Sequence, residues 1–333
     1  MHLQSNDLPA YAAYLAARDG SNAADVLERL RCGVAEAKLH LADIFVTFDP
    51  TGERVSGSVR VYAFGKDFVV LTEWRGDKGA GTYEALSELL AGATARAAKI
   101  EVRKMGTRVS LDGMTDAYRR ALQDAGFLFQ GRRVEYQTAV SELPDERTSR
   151  LTWTTMADVG EKSVLHLIRE ASVNTPDGMD IEAGVSAIEG VLGGSYDTLD
   201  PRAAELGYLD GRAVAVLLTR VDVDTGWAGI QFLGIVPEVR GQGLGTVVHL
   251  HGIATMRDLG GTVYHDGTSE TNAPMLRLFE KHGCIEHSRM EEWHWKPGVQ
   301  SGSDVHSRGR SRGQNPKNEG LTPQAPLLNL AGR

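Results

Sequence analysis

Apolar positions along the chain change spacing in a regular order. From Ala10 to Lys38 they recur at helical intervals, with Val26, Leu27, Leu30 and Val34 on one face and Asn22 placed to cap. Three strand-like runs follow: ADIFVTFD, SGSVRVYAF and KDFVVLTEW, the first two joined by a Pro-Thr-Gly turn that suits a hairpin. After Arg75-Gly76-Asp77-Lys78-Gly79-Ala80-Gly81-Thr82 comes a helical run through Ala98, then KIEVRKMG as a strand. Asp116 to Asp124 reads as a helix, and Gly126-Phe127 opens a strand ending near Ala139.

The same order returns further on. LTWTT reads as a strand, Gly160 to Ala171 as an amphipathic helix, and Ile181 to Leu192 as a second helix ended by Gly193-Gly194. GYLDG and AVAVLLTRVD read as strands around an Asp210-Gly211 turn, and WAGIQFLGIV as the strand that leads into a glycine-rich loop. Thr246 to Leu259 is the next helix, with Gly260-Gly261 ending it, and TVYHDG the next strand. Gly79-Ala80-Gly81-Thr82 parallels Gly243-Leu244-Gly245-Thr246. Ala125-Gly126-Phe127, followed by Arg132, Glu135 and Tyr136, parallels His282-Gly283-Cys284, followed by Arg289, Glu292 and Trp293. This is an internal duplication whose first copy has drifted. The expected organisation is residues 1–143 as the degenerate copy, a polar link at 144–150, residues 151–296 as the second copy, and a Gly-, Ser-, Pro- and Arg-rich tail from 297 to 333 that should be disordered.

The loop carries the first candidate chemistry. A strand, a tight turn at Arg240-Gly241-Gln242-Gly243-Leu244-Gly245 and a helix bring free backbone N–H groups and the positive end of a helix dipole to one point, which suits a phosphate. A P-loop would need Lys-Ser or Lys-Thr after the last glycine, and a dinucleotide fingerprint would need glycine at Thr246. The pattern that fits is [Q/R]-x-x-G-x-[G/A]. It resembles the coenzyme A pyrophosphate loop of the GNAT superfamily of N-acyltransferases. A second motif agrees: Asn272-Ala273-Pro274-Met275-Leu276-Arg277-Leu278-Phe279-Glu280-Lys281-His282-Gly283-Cys284 resembles N-x-x-A-x-x-L-Y-x-K-x-G-F. Asn272, Leu278, Lys281 and Gly283 are in register; Met275, Phe279 and Cys284 depart from it. The tandem layout is similar in architecture to that of mycothiol synthases.

The resemblance implies an α/β fold of two tandem GNAT-like domains, each with a mixed, mostly antiparallel central sheet flanked by helices. It implies acetyl-CoA as co-substrate, with pyrophosphate on Arg240, Gly241, Gln242, Gly243, Leu244, Gly245 and Thr246. The pantetheine arm would lie along Leu233, Gly234, Ile235 and Val236, and Asn272 and Phe279 would occupy further coenzyme positions. The implied activity is transfer of acetyl to a primary amine, a small molecule in preference to a protein, with the second copy active. A non-catalytic acyl-CoA-binding or regulatory protein is the alternative.

Proton transfer is less well provided for. The strand position that often holds a glutamate in the family is Ile230, followed by Gln231, and Phe279 stands where a tyrosine often protonates the thiolate. An amine with a pKa near 10 costs about 4 kcal/mol to deprotonate at neutral pH. Asp266, Glu270 and His265 are the candidate bases, against turn and capping roles for the same residues. Tyr264 or Tyr208 could restore the hydroxyl.

Composition narrows the setting. The chain has 333 residues, 41% hydrophobic and 24% charged, and a formal net charge of -8, which disfavours a general nucleic-acid binder. Cys32 and Cys284 read as reduced thiols of a cytoplasmic protein, and no apolar run suits a membrane span or signal peptide. His249, His251, His265, His282, Cys284 and His287 suggest metal ligands at first sight. His249 and His251, two apart on a helix, face different ways, and no CxxC or HExxH pattern exists, so no metal is expected.

Overall fold

The computed structural model describes residues 1–64, 68–76, 83–175, 201–223 and 225–298. The glycine turn at Gly79–Thr82, the helix expected over Ile181–Leu192 and the tail beyond Gly298 lie outside the described residues. Two compact units form. One comprises Met1–Gly131 completed by residues from Met290, and the other Arg132–Arg289.

In the first unit, α1 (Leu8–Asp19) and α2 (Ala23–Ala35) precede β1 (Ile44–Phe48), β2 (Val55–Phe64) and β3 (Phe68–Gly76). The Asn22 side chain accepts from Ala24 N, the cap its position predicts. Next come α3 (Tyr83–Lys99), β4 (Lys104–Ser110) and α4 (Asp116–Asp124). The sheet order is β1-β2-β3-β4, with β3 parallel to β4 and the other neighbours antiparallel; residues Met290–Trp295 pair antiparallel with β4 as the next strand. One expectation needs correction: the strand read from KIEVRKMG starts only at Lys104. Ile100 and Val102 instead donate back to Arg96 O and Ala97 O, and Glu101 takes φ 54, so this stretch closes α3 and buries Val102 beneath it.

In the second unit, β5 (Leu128–Ala139) contributes Arg133–Ala139 as the neighbour of β10 (Val263–Ser269). The sheet continues β10-β9-β8-β7-β6, through Trp227–Ile235, Arg212–Val221, Ala204–Leu209 and Thr152–Thr155 in turn. Among the described residues of this unit only β9 and β10 run parallel; the other pairs are antiparallel. Both units thus place one parallel pair between antiparallel neighbours. The β7–β8 turn needs two left-handed residues, and Asp210 and Gly211 supply φ 51 and φ 80. Helices α5 (Met156–Val159), α6 (Glu161–Ala171), α7 (Leu244–Asp258) and α8 (Ala273–Lys281) complete the unit, before the strand β11 (Glu286–Trp295). Its core joins Val164, Leu167 and Ile168 of α6 and Val214–Leu218 of β8 to Val248 and Ile253 of α7 and Phe279 of α8. Among the described residues no helix is long and apolar enough to cross a membrane, and both cysteines are free thiols.

Candidate acyl-transfer site

The site begins where β9 loses its partner. Its ladder with β10 covers only Trp227/Val263 and Ala228/Tyr264, although β9 runs on to Ile235. Along Leu233, Gly234 and Ile235 the strand stays paired with Leu217, Val216 and Ala215 of β8. One edge of β9 is therefore held in the sheet and no ladder to β10 covers the other. The β8 register shifts between Leu218 and Thr219, which skips Gln231 and bulges β9 at the same place. Gly234 is required here: a Cβ would come 2.5 Å from Phe232 Cε1 and 2.7 Å from Ala171 Cβ.

Past Val236 and Pro237 the chain turns into α7. Gly241 and Gly243 take φ 76 and φ 78, a conformation that costs an ordinary residue about 1–2 kcal/mol. Gly243 is the N-cap and has no side chain with which to cap this helix end. Its first N–H groups have no partner within the helix, so the turn presents donors and the positive dipole end together. Leu244 is buried, Gly245 lets Leu278 approach to 3.3 Å of its would-be Cβ, and Thr246 Oγ1 accepts from Lys281 Nζ at 3.2 Å. Arg150, which carried no sequence signal, donates from Nη1 to Gln242 O at 2.7 Å and adds positive charge beside Gly243.

Two motif side chains have structural duties. The Arg240 guanidinium donates to Ile235 O, Asn174 O and Ala171 O, tying the loop to the end of α6. Asn272 caps α8: its Oδ1 accepts from Met275 N, and its Nδ2 donates to Thr268 Oγ1. Phe279 is fully buried, with ring centroids 4.3 Å from Tyr136, 5.6 Å from His249 and 6.4 Å from Tyr264.

The candidate proton-transfer residues fall into different settings. Glu270 is exposed in the turn after β10. His265 lies on β10 with its ring edge-on to Trp227 at 5.2 Å. Tyr208 is part of β7, at the other side of the sheet from β10. Asp266 is neither a turn nor a capping residue. It sits inside β10, partly buried, its Oδ1 accepting from Gly267 N at 2.7 Å and its Oδ2 from Tyr264 OH at 2.9 Å. Desolvation pushes this carboxyl up to about 7, against the pull of those two hydrogen bonds. Tyr264 is buried, and its phenol is held well above the usual range by desolvation and by the Asp266 charge. Cys284 is also buried, its thiol pushed up to about 12, so it is no nucleophile at neutral pH. Behind Gly267, Arg133 Nε donates to Glu135 Oε1 at 3.2 Å as an almost fully buried ion pair. Among the described residues no group of three or more His, Cys, Asp or Glu could hold a metal ion.

Residues 196–284 match the Acetyltransferase (GNAT) family. No curated protein matches the chain. Among solved structures, a GCN5-related N-acetyltransferase from Sphaerobacter thermophilus is similar over 90% of this chain and 96% of its own, with TM-score 0.61 and 16% identity. One from Kribbella flavida covers 81% and 95%, with TM-score 0.52 and 15% identity. A tandem GNAT protein from the clavulanic acid biosynthesis pathway covers 76% and 82%, with TM-score 0.52 and 14% identity. At these identities the structures establish the shared fold, and the sequence match covers the segment that carries the glycine turn and α8. The chain shares the fold of these structures, tandem GNAT proteins among them, and its residues 196–284 are similar to the Acetyltransferase (GNAT) family.

Proposed function

We propose that the chain is an acetyl-CoA-dependent N-acetyltransferase whose second unit acts on a small primary amine. The observation that carries this reading is the uncapped N-terminus of α7, set on two left-handed glycines directly after an edge of β9 that has no ladder to β10. The backbone N–H groups of Gly241 to Thr246 would hold the coenzyme pyrophosphate, where a side chain would keep the phosphates at a distance. The free edge of Leu233–Val236 would pair with the amide groups of the pantetheine arm, and its N–H groups would polarise the thioester carbonyl.

The reaction converts an ammonium and a thioester into an amide, a thiol and one released proton. Asp266 is the assigned base. A carboxyl poised near neutrality can accept a proton from an amine and pass it on, which one with an ordinary pKa does far less well. Tyr264, hydrogen-bonded to it, supplies the hydroxyl that Phe279 lacks. Glu270, exposed after the same strand, would attract a cationic acceptor.

A second reading is a coenzyme-binding module without turnover. It is favoured by Phe279 and Ile230, neither of which can carry a proton, and by Asn272, whose amide is occupied as a cap. Calorimetric titration with acetyl-CoA, beside Gly243→Glu, tests both readings. Binding by the wild type that is lost in a folded variant supports the loop as the coenzyme site. Turnover with an amine panel then separates transferase from module. Absence of binding by any acyl-CoA refutes both.

A further inference from the structure

Four polar side chains run in an unbroken line beneath α7 and α8. Asp266 Oδ2 accepts from Tyr264 OH at 2.9 Å; the Tyr264 oxygen lies 3.1 Å from His249 Nε2; His249 Nδ1 lies 2.6 Å from His282 Nδ1. The two ring planes are inclined by only 20°, with centroids 4.8 Å apart, as an edge-to-edge N–H···N bond requires. His249 is fully buried and His282 is 4% exposed. The line ends at His282 Nε2, a buried atom with no hydrogen-bond partner among the described residues.

We propose that Asp266, Tyr264, His249 and His282 form a proton relay, which passes a proton between Asp266 at the candidate acyl-transfer site and Nε2 of His282 at the end of α8. Its use in acyl transfer rests on the transferase reading above, whereas its existence does not.

Hydrogen-bond polarity couples the four groups. With Asp266 ionised, Tyr264 donates to Oδ2, and its oxygen must then accept from His249 Nε2–H. His249 Nδ1 therefore carries a lone pair and accepts from His282 Nδ1–H, which leaves a lone pair on His282 Nε2. Protonating Asp266 reverses every link. Oδ1 already accepts from Gly267 N, so the new proton sits on Oδ2. Two hydrogens cannot share the Oδ2–Tyr264 contact, so Tyr264 turns its own hydrogen to His249 Nε2. His249 must then hold its hydrogen on Nδ1, and His282 on Nε2.

Moving between the two states towards Asp266 adds one proton at His282 Nε2. The Nδ1 hydrogen of His282 passes to His249 Nδ1, that on His249 Nε2 to the Tyr264 oxygen, and that of Tyr264 to Asp266 Oδ2. The outward passage is the reverse, and no electron pair leaves its atom. A second proton in the same direction requires each member to turn back first.

The surroundings suit a neutral wire. Desolvation, with the neighbouring His282, pushes His249 down to about 3, so it conducts as an imidazole and does not store charge. His282 is also held below its usual range, by desolvation and by Lys281, while Glu146 favours a proton there. At the other end Asp266 feels Glu135 and Arg133 of β5 with opposite signs, and Cys284 stays a neutral thiol. Nothing in the sequence aligned these groups: they are drawn from β10, α7 and the residue after α8.

The test is nitrogen NMR of the full-length protein with labelled histidine, reading ring tautomers from pH 5.5 to 9. In the wild type, His249 should change from Nδ1–H to Nε2–H and His282 from Nε2–H to Nδ1–H as pH rises, with one shared midpoint. Asp266→Asn should hold both rings in the acid-side tautomers throughout, because an amide can accept from Gly267 N and donate to Tyr264, as the protonated acid does. Fixed wild-type tautomers, or separate titration of each ring to imidazolium, overturn the relay, and this arm decides even if the variant does not fold. A protein that switches tautomers but transfers no acetyl group to any amine keeps the relay and loses the transferase reading. A protein that transfers acetyl with fixed tautomers does the reverse.

Discussion

Replacing Asp266 with asparagine should make the protein less sensitive to alkali, by an amount that follows from its setting. Its carboxyl is raised from 3.8 to about 7 by desolvation. Between those values the folded chain keeps a proton that the unfolded chain has released. Stability therefore falls as pH rises from about 4, and the loss is complete above pH 7. A shift of about three units is worth about 4 kcal/mol when complete; about a third has gone by pH 5, so about 3 kcal/mol remains to be lost between pH 5 and 8.5. Asp266 keeps part of its surface in water, which makes that figure the upper end. Asparagine has no such penalty and can make both of the aspartate's hydrogen bonds in their protonated form. The assay is denaturant unfolding of both proteins at pH 5, 7 and 8.5. The stability of Asp266→Asn relative to wild type should improve by about 1–3 kcal/mol from the first pH to the last. His249, lowered from 6.5 to about 3, gives the opposite slope, with stability lost as pH falls from about 6.5 towards 3. That term is common to both proteins and largely cancels in the difference. A difference that stays flat with pH, or grows towards acid, would falsify the account of Asp266 as a desolvated carboxyl.

Three further outcomes follow from particular contacts. Gly243→Glu, at φ 78 with a negative charge at the proposed phosphate-binding turn, should abolish acetyl-CoA binding while circular dichroism is unchanged. Arg133→Met leaves the Glu135 carboxylate buried without its partner and should cost about 3–5 kcal/mol in urea unfolding; a loss under 1 kcal/mol would mean that water reaches the pair. In the first unit, Gly92→Ala would set a methyl 2.5 Å from Phe45 Cδ1, and about 1–3 kcal/mol of destabilisation should appear as a lowered Tm.

What could be read from the sequence is what depends on neighbours along the chain. The Asp210-Gly211 hairpin, the Asn22 cap and the glycine turn before α7 are local backbone requirements, and each stands where its residues put it. The alternation of helical and strand spacing likewise predicts two copies of one fold, because periodicity is a property of a short window. KIEVRKMG misled for the same reason: apolar alternation looks identical whether Ile100 and Val102 extend a strand or close a helix, and only the packing against α3 decides.

The relay and the edges of the units belonged to the tertiary structure. His249 and His282 look like stray metal ligands in the sequence, and Asp266 like a turn residue. Their meaning comes from stacking α7 and α8 over β10, which brings residues 33 positions apart to 2.6 Å. Which strands complete each sheet was equally hidden, since the compact units divide at Gly131 and Met290, inside β5 and β11. Local sequence determines which segments become strands and turns, because those choices rest on each residue's own backbone and period. Which strand lies beside which, and therefore which buried groups share a proton, is decided by contacts between distant segments that no short stretch of sequence contains.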